Sequence, residues 1–365
     1  MKTTEIAIIG GGPAGLSAAI SAASSGARVT LVDRNSNLGG QLKKQTHKFF
    51  GSQKQYASSR GFDIAIIFEK ELEKYKSQIE ILTNATALGL YEDGIMTIEC
   101  DRRYIKLKSE RIIVATGASE KFLAFPNNDL PGIYGAGAVQ TLMNEYGVKP
   151  GGNVLMVGAG NIGLIVSYQL MQAGVNVKAI IDAAPRIGGY LVHASKIRRM
   201  GIPILTSHTI KYAYGKEMVE KATIWQLDDN WEPIPNTEKD LDVDIICIAV
   251  GLSPLADLLW HIGCDMEYIP ELGGHVPIRD DNLETNISGI FIAGDVAGIE
   301  EASSAMVEGR LAGLCAAKSL GYNIENYEEQ RKDLIDQLIS LRSGPMGGKI
   351  RTGLSKAIVQ EGIVC

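Results

Sequence analysis

The chain has 365 residues, of which 45% are hydrophobic and 21% are charged, and its formal net charge is −6 at pH 7. This length predicts two domains, each with its own core. The acidic balance argues against a general nucleic-acid binder, which is normally basic. No apolar stretch approaches the roughly 20 residues that span a bilayer. We therefore expect neither nucleic acid nor a membrane as a partner.

The cysteines and the amino-terminal residues indicate the compartment. The five cysteines are scattered, without CxxC or any other metal-ligand spacing. This pattern is typical of reduced thiols and predicts neither a disulfide framework nor a metal site. The chain opens with "MKTTEIAIIGGG", a strand that runs directly into a loop and leaves no room for a signal peptide. A cytoplasmic location is the expectation.

The first predicted unit, Ile6–Asp33, reads "IAIIGGGPAGLSAAISAASSGARVTLVD". Its pattern predicts a buried strand, a GxGxxG loop, a helix and a second strand that ends in Asp33. In such a βαβ unit the glycines make a tight turn, admit a pyrophosphate and allow close helix–strand packing, and the helix dipole faces the phosphates. Asp33 lies 18 residues after Gly15, close to the spacing of a carboxylate that binds ribose hydroxyls. We predict a nucleotide site here.

The segment 41–60 combines basic and aromatic side chains. It could form a loop over a bound cofactor or an anionic ligand, with Gln41 and Lys44 in contact with it, or it could be a solvated basic loop; the sequence leaves both open. The side chains concerned are Lys43, Lys44, His47, Lys48, Phe49, Phe50, Lys54, Tyr56 and Arg60.

The second predicted unit, Val154–Asp182, repeats the first as "VLMVGAGNIGLIVSYQLMQAGVNVKAIID", with each loop glycine 148 residues further along. It predicts either a second nucleotide site or a duplicated fold that kept its glycines for packing and lost its ligand. Asp182 favours NAD(H), because a carboxylate there repels a 2′-phosphate. Arg186 lies close enough in the sequence to weaken that preference.

Three further stretches predict strands that end in small-residue turns. They are "RIIVATGA" at 111–118, "DIICIAVGLSP" at 244–254 and "GIFIAGDVAG" at 289–298. The last delivers Gly294 and Asp295 into a loop before a long helix, so Asp295 is either a cofactor ligand or an ordinary helix cap.

The tail predicts a helix with Leu334, Leu338 and Leu341 in phase, followed by a Gly-Pro break. This helix could dock on its own chain or form a subunit interface.

The order GxGxxG, ATG, GxGxxG, GD resembles the pyridine nucleotide–disulfide oxidoreductases in their short, thioredoxin-reductase-like form, over roughly residues 4–320. The resemblance implies an α/β fold with two Rossmann-like FAD/NAD(P)-binding domains, the second inserted into the first. The implied FAD domain comprises 1–118 plus 245–325, and the implied NAD(P) domain comprises 119–244. Residues 326–365 would be a helical extension.

The resemblance also implies which residues bind cofactors. FAD would be held by Gly10, Gly12, Pro13, Ala14, Gly15, Asp33, Arg34, Gly40, Gln41, Thr86, Ala115, Thr116, Gly117, Gly294 and Asp295. NAD(H) or another adenine nucleotide would be held by Gly158, Gly160, Asn161, Ile162, Gly163 and Asp182. No catalytic side chain is expected, because hydride transfer between two cofactors needs alignment rather than an acid or a base.

One departure from the thioredoxin reductases narrows the resemblance. Gly135 to Ala138 occupy the positions of their redox CxxC pair, and disulfide chemistry needs a thiolate beside the flavin. A thioredoxin-reductase role is therefore not expected.

The stretches "GGQLKKQTHKFFGSQKQYASSRG", "LPGIYGAGAVQTLM" and "PRIGGYLVHASKIRRMGIPIL" resemble the α-type subunits of amine and amino-acid dehydrogenases. That branch includes proline and hydroxyproline dehydrogenase, opine oxidase, hydrogen cyanide synthase and sarcosine oxidase. The resemblance implies a β subunit of the D-amino-acid-oxidase type that oxidises the substrate. Some members hold another adenine nucleotide, NAD or ATP, in the first site.

Many members of that branch continue into a 2Fe–2S domain. A cluster for this chain, which ends at Cys365, would come from a separate small subunit; an exposed tail thiol is the other interpretation of Cys365. Two alternative functions also stay open. One is a free-standing NAD(P)H:acceptor reductase without a redox disulfide, and the other is a non-catalytic nucleotide-binding scaffold.

Overall fold

A computed structural model describes residues 1–49, 51–344 and 347–359. Its strands are β1 Lys2–Ile9, β2 Val29–Val32, β3 Ile79–Leu82, β4 Ala85–Leu90, β5 Ile95–Cys100, β6 Arg103–Val114, β7 Ala118–Glu120, β8 Ile133–Gly135, β9 Asn153–Val157, β10 Asn176–Asp182, β11 Ile204–Thr206, β12 His208–Tyr214, β13 Lys221–Gln226, β14 Lys239–Asp242, β15 Ile245–Ile248, β16 Leu252–Pro254, β17 Met266–Ile269, β18 Gly274–Pro277 and β19 Ile290–Ile292. Its α-helices are α1 Pro13–Ser24, α2 Gly61–Glu73, α3 Ala136–Gln140, α4 Asn161–Gln172, α5 Leu191–Arg199, α6 Asp257–His261, α7 Ala302–Ser319, α8 Tyr327–Leu341 and α9 Gly347–Ala357.

The chain divides into two compact units. The first comprises Met1–Ser119 and the chain from Ser253 onward, and the second comprises Glu120–Leu252. Strand β15 lies in the second unit, where it pairs with β9, whereas the sequence-based boundary at 245 assigned it to the first. Strand pairing accounts for the difference, because β15 completes the sheet that starts with β8 and β9.

The first unit is built on a sheet with the order β3-β2-β1-β6-β5-β4, and β19 also pairs with β6. Strands β3, β2, β1, β6 and β19 run parallel, and β4 and β5 join β6 as an antiparallel meander. Helices α1, α2, α7 and α8 bury one face of the sheet. The meander and α6 share a second core with the other face.

The second unit repeats this element order. Its parallel sheet is β11-β10-β9-β15-β8, and a separate antiparallel meander is formed by β12, β13 and β14. In the first unit, the 12-residue strand β6 serves both the meander and the parallel sheet. In the second unit the equivalent path is broken between β14 and β15. The Asp244 carboxylate at the break accepts the amide N–H groups of Gly152 and Asn153 at 2.8 and 2.6 Å.

The C-terminal helices belong to the first unit. Leu334 and Leu338 of α8 are buried in the core that contains α1 and α7, as expected for a helix that docks on its own chain. Helix α9 buries Leu354 and Ala357 against Leu272. Cys365 lies outside the described residues. No helix in the part of the chain that the structure describes is both long and apolar enough to cross a membrane.

Helices α1 and α7 pack unusually closely, which requires glycine. A Cβ on Gly309 of α7 would overlap the carbonyl oxygen of Ala14, and one on Gly313 would overlap that of Ala18. Both obstacles are backbone atoms of α1, which cannot rotate away as a side chain can. The position of α1, and of the loop before it, therefore depends on these two glycines.

We expect Gly309→Ala to lower the free energy of unfolding by about 3 kcal/mol, because the added methyl group must separate the two helices. Urea unfolding of the purified variant measures this. Gly348→Ala is the matched control. A Cβ there meets only Arg351 Nη2 at 3.8 Å, and the better helix propensity of alanine should stabilise by up to about 1 kcal/mol. Equal effects of the two substitutions would contradict the packing argument.

Candidate nucleotide-binding sites

Four parallel strands of the first unit end side by side. Ile9, Val32, Val114 and Ile292 are paired across the sheet as one row. Because ligands of open parallel sheets bind beyond the carboxyl ends of the strands, the residues that follow this row form the candidate site. The structure places there the predicted residues Gly10, Gly12, Pro13, Ala14, Gly15, Asp33, Arg34, Ala115, Thr116, Gly117, Gly294 and Asp295.

The glycines of the first glycine loop, Gly10–Gly15, have different structural roles. Gly10 has φ +105°, and Cβ atoms on Gly10 and Gly15 would collide with the carbonyl oxygens of Ala115 and Gly10. These two glycines therefore allow β1, β6 and α1 to pack together. A Cβ on Gly12 would meet nothing within 4 Å. Space is thus kept open at the N-terminus of α1, where backbone N–H groups and the helix dipole favour an anion.

Asp33, which directly follows β2, is buried. Its carboxylate accepts the amide N–H groups of Gly11 at 2.6 Å and Asn35 at 2.7 Å. A carboxylate offers about four lone-pair sites, so two are left for ribose hydroxyls. Together with the space beside Gly12, this donor and acceptor set fits the ADP part of a dinucleotide. The side chain of Arg34 is exposed at the same edge.

The turn at Gly39 and Gly40 lies against the first glycine loop. The amide of Gly39 donates to the carbonyl of Gly11 at 2.8 Å, and a Cβ on Gly40 would lie 2.9 Å from the Cα of Gly12. The exposed Gln41 follows in a 3₁₀ turn. Thr86 is exposed on β4, next to Ala85, whose amide donates to the Asp33 carbonyl at 2.9 Å.

The segment 41–60 is held partly by the rest of the unit. Lys54 forms an ion pair with Asp333 of α8 at 2.7 Å, and Gln55 is buried and bonded to Gln337 of the same helix. Lys48 is exposed. Phe50 lies outside the described residues. Part of this basic segment is therefore fastened to α8 rather than free in solvent.

The second glycine loop, Gly158–Gly163, has the same construction. Gly158 has φ +115°, a Cβ on Gly163 would collide with the Gly158 carbonyl, and Gly160 faces open space. Asp182 accepts the amides of Ala159 at 2.6 Å and Ala184 at 2.9 Å. Ile162 is 38% exposed at the start of α4. The predicted second-site residues are thus brought together in the same way as those of the first site.

The repeat extends further than the sequence alignment took it. Gly188 and Gly189 follow Gly39 and Gly40 by 149 residues, as Asp182 follows Asp33. A Cβ on Gly189 would lie 2.9 Å from the backbone carbon of Gly160. The side-chain oxygen of Asn161 accepts the amide of Tyr190 at 2.8 Å. Continuing the alignment through "NLGGQ" and "RIGGY" would have found this pair of turns.

Gly135 to Ala138, which occupy the positions of the missing CxxC pair, lie at the N-terminus of helix α3. Here the carboxylate of Glu120 accepts the amides of Gly137 at 2.6 Å and Ala138 at 3.3 Å. A carboxylate thus caps the helix terminus. Burial, with a smaller contribution from the negative charge of Glu120, raises the pKa of the nearby Cys247 thiol far above its usual range. Cys247 is therefore a neutral thiol at physiological pH.

A buried ion cluster beside the first site was missed in the sequence analysis. Arg342, directly after α8, donates to both oxygens of Glu300 at 2.7 and 2.9 Å and to Glu308 at 2.6 Å. Arg279 also donates to Glu308, at 3.3 Å, and its Nε has no hydrogen-bond partner among the described residues. The one sequence signal was an acidic residue, Glu308, within the apolar face of α7.

Asp295 lies next to this cluster. Burial, together with the negative charges of Glu308, Glu300 and Glu301, raises its pKa from 3.8 to about 7, although the Glu300 amide, which donates to the Asp295 carboxylate at 3.3 Å, acts in the opposite direction. The Asp295 carboxyl group therefore ionises near neutral pH. It lies in the 3₁₀ turn Asp295–Ala297 rather than at a cap of α7.

The two sheets and their two glycine loops define the class of proteins that combine two Rossmann-like dinucleotide-binding folds in one chain. The sequence pattern of the pyridine nucleotide-disulphide oxidoreductases matches residues 4–309. The chain belongs to this family, whose members are flavin-dependent oxidoreductases, and the family and fold class expected from the sequence are confirmed.

Two curated relatives are subunits of larger enzymes. The chain is 27% identical over 332 residues to an opine oxidase subunit of Agrobacterium tumefaciens, a match that covers 87% of this chain and 66% of that protein. It is 25% identical over 335 residues to the alpha subunit of sarcosine oxidase from a Corynebacterium species, covering 87% of this chain and 33% of that protein. The chain therefore spans from one third to about two thirds of the length of these relatives.

Solved structures give the same architecture. The thioredoxin reductase of T. acidophilum superimposes with a TM-score of 0.72 at 22% identity, covering 88% of this chain and 99% of the other. The L-proline dehydrogenase of P. horikoshii superimposes with a TM-score of 0.68 at 24% identity, covering 91% of this chain and 59% of the other. At these identities the likeness concerns the fold alone.

The pKa of Asp295 predicts a specific pH dependence of stability. Between about pH 4 and pH 7 the folded protein keeps this proton while the unfolded chain releases it, so the free energy of unfolding falls as the pH rises. Asp295→Asn removes this loss. We expect the nucleotide-free variant to match wild type near pH 4 and to be about 2–4 kcal/mol more stable above pH 7.

Urea unfolding between pH 4 and pH 8 measures this difference. Asp101→Asn, at an exposed turn, serves as the control for trends that Asp295 does not cause. Parallel curves for wild type and Asp295→Asn would show that Asp295 does not titrate in this range.

Proposed function

We propose that this chain is the FAD-binding, electron-relaying subunit of a multi-subunit amine or amino-acid dehydrogenase. The proposal is supported by the open space at Gly12 and the buried acceptor Asp33 at the edge of the first sheet, in a chain whose CxxC positions hold Gly135 to Ala138. Electrons would then pass between cofactors without a thiol relay. The names of the relatives, which describe them as subunits, favour a hetero-oligomer.

In this proposal the first glycine loop and Asp33 hold the ADP half of FAD. The Gly294–Asp295 turn, which follows β19 at the same sheet edge, would contact the ribityl chain and pyrophosphate. Bound FAD would supply reversible one- and two-electron transfer. The chain's own groups would bind, orient and set the charge around it, with the N-terminus of α7 favouring negative charge nearby.

The second glycine loop and Asp182 would hold NAD(H) or another adenine nucleotide. The carboxylate of Asp182 disfavours a 2′-phosphate. We further propose a β subunit of the D-amino-acid-oxidase type as the partner that oxidises the amine. A small 2Fe–2S subunit is a second partner in this proposal, and the complex would act in the cytoplasm.

A second candidate is a free-standing NAD(P)H:acceptor reductase. It is favoured by the matching construction of the two glycine loops, since Asp33 and Asp182 each accept two backbone amides at 2.6–2.9 Å. Saturable bleaching of the flavin by NADH within seconds, in the protein without partners, would select this candidate over the first.

The proposal is tested by purifying the chain alone and with its co-purifying partners from the native source. We expect a yellow protein with stoichiometric FAD, identified by chromatography after release. We expect dye-linked oxidation of amines or amino acids only when the partner is present. A colourless protein that takes up no adenine nucleotide, or full substrate oxidation by the chain alone, would refute it.

Substitutions at the two glycines that face open space, Gly12 and Gly160, can distinguish the first nucleotide site from the second. Gly12→Ala places a methyl group in space that the protein leaves free, so it should weaken FAD binding at least tenfold, or about 1.4 kcal/mol. Because Gly12 is a helix N-cap, the nucleotide-free protein should lose less than about 1 kcal/mol of stability. FAD affinity is measured by quenching of flavin fluorescence.

Gly160→Ala is the matched variant in the second loop, where the added Cβ also meets nothing within 4 Å. It should leave FAD affinity within twofold and weaken NAD(H) binding. Unchanged FAD affinity in Gly12→Ala, or equal loss in both variants, would contradict the assignment of FAD to the first loop.

A further inference from the structure

The segment Gly294–Glu300, here called the Asp295 loop, is fastened at both ends to one group. At its start, the amide of Gly294 donates to Glu308 Oε2 at 2.9 Å, and the other oxygen of Glu308 receives Arg342 Nη2 at 2.6 Å. At its end, Glu300 is held directly by Arg342, whose Nε and Nη2 donate to both carboxylate oxygens. A single guanidinium from the C-terminal helices therefore joins both ends of the loop.

This arrangement suits arginine in particular. The planar guanidinium presents several donors in a fixed geometry, and it can hold one carboxylate with two bonds while it reaches a second. The ion pairs are largely inaccessible to solvent, since the side chains of Arg342, Glu300 and Glu308 are 11%, 9% and 4% exposed. Removing one partner from such a buried group leaves an uncompensated charge and is strongly unfavourable.

Arg342 supplies one of the two positive charges that, in the described part of the chain, face the acidic groups around the loop. Asp295 faces Glu300, Glu301 and Glu308. The positive charges within the cluster are Arg279, which contacts Glu308, and Arg342, which contacts both Glu300 and Glu308. Without Arg342, the two buried carboxylates and Asp295 would share one cation. As the pH rises, ionisation of Asp295 would then repel the carboxylates of Glu300 and Glu308 and displace the loop.

We infer that Arg342 is a positioning residue that holds the Asp295 loop in its cofactor-binding conformation, and that the C-terminal helices are thereby part of the first nucleotide site. This inference rests on the proposal that the first site binds FAD. Helix α8 also contacts the segment 41–60, since Asp333 and Gln337 form hydrogen bonds with Lys54 and Gln55. The C-terminal helices thus contact two segments of the first unit that lie near the proposed site.

Arg342→Met tests the inference. We expect the dissociation constant for FAD to rise at least tenfold at pH 8 and by less at pH 6, where protonation of Asp295 relieves part of the repulsion. The double variant Arg342→Met/Glu300→Gln removes one negative charge together with the positive one, and it should recover an affinity within about threefold of wild type. Arg342→Lys keeps the charge but not the paired geometry, and it should lie between wild type and Arg342→Met.

Arg331→Met is the matched control, because Arg331 lies on α8 and bonds to Asn282 at 2.7 Å rather than to the cluster. It should keep FAD affinity within twofold at both pH values. Wild-type affinity in Arg342→Met, failure of Glu300→Gln to rescue it, or an equal loss in Arg331→Met would overturn the inference. If Arg342→Met does not fold, wild-type affinity in Arg342→Lys, or a tenfold loss in a folded double variant, overturns it.

A second measurement separates this inference from the proposed function. Hydrogen exchange of peptides that cover residues 293–301 is followed in the nucleotide-free proteins. We expect faster exchange in Arg342→Met, or in Arg342→Lys if the former does not fold, and recovery in the double variant. If wild type binds no FAD but the exchange result holds, the function is wrong and the loop positioning stands. Unchanged exchange overturns the positioning even if FAD binds.

Discussion

The closeness of α1 to its neighbours is the constraint on which the first nucleotide site depends. Gly10 and Gly15 allow the helix to start directly behind β1, and Gly309 and Gly313 allow α7 to lie against its backbone. These contacts leave α1 little freedom to shift along or away from the sheet. The open space beside Gly12 and the amides at the helix N-terminus are therefore set in advance, so that an anion need not order them on binding.

Much of this arrangement could be predicted from local sequence. The glycine loops, the strands that enter them and the acids at positions 33 and 182 all lie within about 30 consecutive residues, where spacing reports structure directly. The strand at 244–254 was also recognised, but its unit was assigned wrongly in the sequence analysis. Pattern alone identifies a strand, whereas its sheet depends on pairing with distant residues such as those of β9.

The ion cluster could not be predicted for the same reason. Arg279, Glu300, Glu308 and Arg342 belong to different elements, and no periodicity brings them together. A buried charge in an apolar helix, as at Glu308, signals that a partner exists but not which residue it is. The raised pKa of Asp295 depends on this environment and could not be predicted from the sequence either. Its position after β19 could be predicted.

The two units share an element order but differ in how the meander meets the parallel sheet. In the first unit, the meander strand β6 continues as a central strand of the parallel sheet, so shortening the hairpin would disturb the strand that ends at Val114. In the second unit, Val243 and Asp244 separate β14 from β15. The three-stranded meander there joins the parallel sheet through packed side chains rather than through a shared strand, so its hairpins can change in length without shifting the register of β15.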